Sequence, residues 1–133
     1  MTTSGATLTE LIGVYHADGG PVGEARYILG KILGTAHCAL CDVTHSPVRR
    51  KPQWDAMVTR LGTPVTLLHL NEQPPDVAAA TSVAGTPVVL ARLDDGSLGV
   101  ALGPEELDQL GGSVSDFESA VVTSIHRNAW SRS

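Results

Sequence analysis

A chain of 133 residues with 14 acidic and 9 basic side chains, a formal charge of −5 and 4% aromatics can bury its own core as one domain and lacks the basic, ring-studded surface that nucleic acid requires. Its one basic cluster, Arg49-Arg50-Lys51, reads as a solvated loop. No apolar run reaches the ~18 residues of a membrane span, and residues 1–6 lack the charged and apolar regions of a signal peptide. The expectation is a cytoplasmic protein that partners neither nucleic acid nor membrane.

Residues 1–8 are expected to be disordered, 9–125 to form the domain and 126–133 to be a flexible tail. Leu11-Ile12-Gly13-Val14-Tyr15 reads as a buried first strand, closed by the turn His16-Ala17-Asp18-Gly19-Gly20-Pro21. Pro21 then opens a helix whose apolar face is Val22, Ala25, Ile28, Leu29 and Ile32, with Gly34 as its stop. The glycines at 19, 20 and 23 could offer an anion a helix N-terminus, but the lysine and spacing of a phosphate-binding loop are missing.

After a proline-containing basic loop, Trp54, Met57, Val58 and Leu61 mark an amphipathic helix ending at Gly62. Residues 64–70 form a near-continuous apolar run, predicted to be a strand of a parallel sheet buried on both faces, with His69 a hydrogen-bonded structural histidine. Residues 75–80 predict a short helix. Val88–Leu93 and Leu98–Leu102, joined by Asp94-Asp95-Gly96-Ser97, predict a hairpin with an Asp-Gly turn. Pro104, Glu105 and Glu106 suit the first turn of a helix, and Leu107, Leu110, Phe117, Val121 and Ile125 line one or two C-terminal helices.

The densest chemistry lies at His37-Cys38-Ala39-Leu40-Cys41-Asp42-Val43-Thr44-His45, which holds both cysteines and two of the five histidines. Two thiols at this spacing can close a small disulfide, hold half of a metal site, or fill core as inert sulfurs. On a helix, Cys38, Cys41 and His45 share one line, and His37, Cys41 and His45 share another. Either line lets an imidazolium lower a thiol pKa and favour the reactive thiolate. A domain of this size does not need the pair for stability, and two cysteines are too few for an iron–sulfur cluster in one chain.

The order of elements, the Cys38-Ala39-Leu40-Cys41 motif and Thr86-Pro87 ahead of a strand and an Asp-Gly turn resemble the thioredoxin-like superfamily. In that fold a βαβ unit is followed by a β-hairpin and a final helix, and the proline before the third strand is cis and packs against the cysteine pair. The resemblance implies an α/β single domain with a central mixed sheet of about four strands flanked by helices. It also implies thiol–disulfide exchange with a protein disulfide or dithiol partner, or oxidation sensing, without a resident cofactor. Cys38 would attack, Cys41 resolve, His37 or His45 accept a proton or lower the thiol pKa, and Pro87 shape the peptide-binding edge.

The chain departs from that family in one respect. Some twenty residues separate Tyr15 from Cys38, and the family's active-site turn is occupied by residues 16–24, which hold no thiol. If the cysteines occupy a new place on the scaffold, a non-catalytic metal site is the alternative. Cys38, Cys41 and His45, with His37 or His16 as a fourth donor, would suit tetrahedral zinc, and the two thiolates alone would suit copper(I).

Overall fold

β1 (Thr7–Val14) is the strand against which the rest of the sheet is laid, in a computed structural model that describes residues 6–16, 39–44 and 51–132. β2 (Val65–Leu68) pairs with it in parallel, Leu11 opposite Val65 and Val14 opposite Leu68. β3 (Val88–Leu93) pairs with its other edge antiparallel, from Leu8 opposite Leu93 to Val14 opposite Val88. β4 (Leu98–Leu102) completes the hairpin, giving the order β2-β1-β3-β4. Gly96 sits in the hairpin turn at φ 86°, a conformation that costs glycine little.

The first strand starts four residues earlier than its apolar run suggests. Leu8 is fully buried and pairs with Leu93 while Thr9 donates to the Arg92 carbonyl at 3.0 Å, so pairing with β3 extends the strand through polar residues. β2 is parallel as expected, but it is half-buried and not doubly covered, and it stands at the edge of the sheet among the described residues. Its exposed Thr66 donates to Glu10 on β1 at 3.0 Å.

Five α-helices are described. α1 (Ala39–Thr44) is a short turn of the cysteine segment, and α2 (Pro52–Leu61) is the predicted amphipathic helix, with Pro52 in its first turn and Gly62 at φ 73° as its left-handed stop. α3 (Pro75–Ala84) begins on a proline and runs past the expected residue 80. α4 (Pro104–Asp108) carries Glu106, which accepts the Gly103 N–H at 3.1 Å. α5 (Val114–Arg127) is capped by Ser113, whose hydroxyl accepts from the Asp116 N–H at 3.2 Å. The helix predicted from Pro21 to Gly34 lies outside the described residues.

The sheet separates two cores. On one face Leu11, Tyr15, Val89 and Ala91 meet Leu40 and Val43 of α1, Trp54 and Met57 of α2, and Phe117, Val121 and Ile125 of α5. On the other, Ile12, Val14, Val88 and Leu90 pack with Val77 of α3. Alternation along β1 produces this division, because neighbouring side chains point to opposite faces. Burying a leucine or valine in either core contributes roughly 1.5–3 kcal/mol.

Residues 126–132, read from sequence as a tail, hold the last turn of α5 and β5 (Ser131–Arg132), which pairs in parallel with Thr7 and Leu8 of β1. Trp130 packs over Gly99, where a Cβ would stand 3.1 Å from the indole. The described chain is thus one α/β domain, a mixed sheet of four main strands flanked by helices. No helix among the described residues is long and apolar enough to cross a membrane.

Candidate functional site

β1 and β2 are parallel and end side by side at Val14 and Leu68, while β3 begins opposite them at Val88. The carboxyl ends of parallel strands are where a sheet of this kind presents groups to a ligand. Three histidine- and proline-bearing segments meet there: Tyr15-His16 after β1, His69 to Glu72 after β2, and Thr86-Pro87 before β3.

The Thr86-Pro87 bond is cis, and Pro87 is half-buried. Beside it, His16 Nδ1 lies 2.9 Å from Thr86 Oγ1. His16, two residues past the end of β1, therefore stands against the residue that precedes this proline. His16, named from sequence as a possible fourth metal donor, is exposed and engaged with the Thr86 hydroxyl.

On the opposite side of the same edge, Tyr15 is 3% exposed and its hydroxyl meets the buried Thr44 Oγ1 at 2.9 Å. Thr44 ends α1, so this bond ties the helix that contains Cys41 to the end of β1. Leu40, one residue before Cys41, packs over Gly13. Cys38, His37 and His45 fall outside the described residues. Among the described residues, no group of three or more histidine, cysteine or carboxylate side chains is placed to hold a metal ion.

His69 does not lie in the strand as the apolar run suggests. It caps a one-turn 3-10 helix, Leu70–Glu72. Glu72 Oε1 accepts from the His69 backbone N–H at 2.8 Å and lies 2.8 Å from its Nδ1. The His69 backbone N–H first, and its imidazole second, hold the Glu72 carboxyl below the usual range, so it is an anion at neutral pH. The Tyr15 and His69 rings are 5.0 Å apart at 55°, a tilted contact of the kind aromatic groups favour.

Away from this edge, a groove of about 730 Å³ lies between the starts of α2 and α5. Its two cations are already engaged, Lys51 with the Gly112 carbonyl at 2.7 Å and Arg60 with Glu118 at 2.7 Å. The carboxyl edge is the better candidate because it gathers three separate segments of chain. No protein-family model, curated protein or solved structure matches this chain.

Proposed function

We propose that this is a thioredoxin-like protein that exchanges thiols and disulfides with a protein partner through Cys38 and Cys41. The observation that carries the reading is the Tyr15–Thr44 hydrogen bond, which fastens the helix containing Cys41 to the sheet edge that also holds cis-Pro87. The architecture supports it: a parallel β1/β2 unit with helix between, an antiparallel β3/β4 hairpin and a final helix follow the order of that superfamily. Because His16 and not a thiol follows β1, this reading assigns the exchange to a cysteine pair displaced along the chain relative to that superfamily.

In the exchange, one thiolate attacks a partner disulfide to form a mixed disulfide, and the second thiol resolves it. The partner leaves as a dithiol and the Cys38/Cys41 pair becomes the disulfide, to be reduced again by an external dithiol. Reduction of an added protein disulfide, with dithiothreitol as electron donor, tests this. The wild-type chain accelerates the reduction and the Cys38→Ser/Cys41→Ser variant falls to background. Equal rates for the two overturn the reading. Purified protein that holds zinc or copper(I) stoichiometrically, and loses its fold on chelation, transfers the cluster to the metal-binding alternative.

A further inference from the structure

α5 ends where its sequence gives it little reason to stop. Asn128 closes the helix and Ala129 turns left-handed at φ 56°, the one non-glycine residue with positive φ among the described residues. The Ala129 N–H donates to the His126 carbonyl and the Trp130 N–H to the Ile125 carbonyl, both at 3.1 Å. That pair of bonds is the Schellman ending, whose left-handed position favours glycine because a Cβ there crowds the following carbonyl oxygen. Alanine is instead the residue most at ease in a continuing helix. The bend persists for what it delivers: Trp130 over Gly99, the Ser131 N–H on the Ala6 carbonyl at 2.9 Å, and Ser131 and Arg132 beside Thr7 and Leu8.

The hold on this arm is short and self-contained. β5 has two residues, and it covers only the part of β1 that lies beyond β2, whose pairing begins at Leu11. A cavity of about 490 Å³ opens between Asn128 and Trp130 on one side and Leu93 and Asp94 on the other, so the arm is loosely seated. All of its contacts lie beyond a single hinge, and the same residues of another copy satisfy them equally. The edge of β1 is already shaped to residues 130–132, which settles the occupant that fits it once the bend is released.

We infer that Ala129 is the hinge of an arm exchange between two copies of this chain. In each copy α5 runs on through Asn128 and Ala129 and lays residues 130–132 on the β1 edge and Gly99 of the other. The exchange releases two left-handed alanines and remakes every contact of the arm, so the second copy needs no new complementary face. The joint lies at the amino end of β1, opposite His16 and Thr86, and does not depend on the thiol chemistry proposed above.

Sedimentation velocity of the wild-type chain in reductant, from micromolar to millimolar concentration, reads a monomer–dimer equilibrium. Ala129→Gly accepts the left-handed turn and weakens the dimer about a hundredfold, a factor of about ten at each of two hinges. Ala129→Val resists the turn further and strengthens the dimer. Ala129 is exposed, so both variants keep the fold. Disulfide trapping in the Cys38→Ser/Cys41→Ser chain reads the joint itself. Thr7 and Ser131 are register partners, and the ~4.8 Å between paired strands is within the reach of a disulfide. One batch carrying Thr7→Cys and another carrying Ser131→Cys, mixed and oxidised at dimer-forming concentration, give a 7–131 link in excess over 7–7 and 131–131 links. A wild-type chain that stays monomeric throughout the range overturns the inference. So does a dimer indifferent to both Ala129 variants, or one without the 7–131 link when a chain carrying both substitutions closes that bond within itself.

Discussion

Leu40 of α1 occupies the space above Gly13 of β1 so closely that a Cβ on Gly13 would stand 3.1 Å from Leu40 Cδ2 and 2.9 Å from Leu67 Cδ2. The missing side chain lets the cysteine-bearing segment settle against the sheet. Gly13→Ala is expected to cost about 1–3 kcal/mol by overpacking, read as a lower urea midpoint. An unchanged midpoint would mean that α1 packs elsewhere.

Tyr15→Phe keeps the ring against His69 and removes only the hydroxyl that meets Thr44 at 2.9 Å. Loss of one buried hydrogen bond is worth about 1 kcal/mol. The effect should be local: amide exchange quickens at residues 39–44 while α5 keeps its protection. Equal acceleration in both helices would refute the tether.

Trp54 is 2% exposed and meets Phe117 with ring centroids 5.0 Å apart, joining α2 to α5. Trp54→Ala should cost roughly 3–5 kcal/mol, a large part of the 5–15 kcal/mol of an ordinary domain. Trp54→Phe should recover most of that loss, and thermal unfolding of the two variants gives the comparison.

Acid stability follows from four carboxylates held below their usual range. Arg92 lowers Asp76, Arg60 lowers Glu118, Ser97 lowers Asp95 and His69 lowers Glu72, in each case chiefly by hydrogen bonding. Each group binds its proton more weakly folded than unfolded. The stabilisation is therefore complete above the ordinary carboxylate range near pH ~4 and is lost as pH falls through the depressed values. Urea midpoints should be flat from neutrality to about pH 5 and fall below pH ~4. Because these pairs are exposed, added salt should shrink the fall. A midpoint that rises on acidification would contradict the assignments.

Local chemistry made several elements readable. Trp54, Met57 and Leu61 repeat at helical spacing and stop at a glycine, Asp95-Gly96 closes a hairpin between apolar runs, and Thr86-Pro87 stands where the cis bond is found. The place of β2 in the sheet was not readable, since a short, largely apolar run looks alike at the edge and at the centre. Nor were the site's couplings. His16 and Thr86 are 70 residues apart, and Tyr15 and Thr44 are 29 apart. Such pairs arise from strand order and leave no mark in any short window.

The parallel pairing of Ser131 and Arg132 with Thr7 and Leu8 brings the first and last described segments together at the amino end of β1. His16 and Pro87 stand at its carboxyl end, about 25 Å away along an eight-residue strand. A reporter domain or surface tether joined at either place would project away from the histidines and the proline. The chain can be immobilised from behind with the His16–Pro87 edge facing the solution.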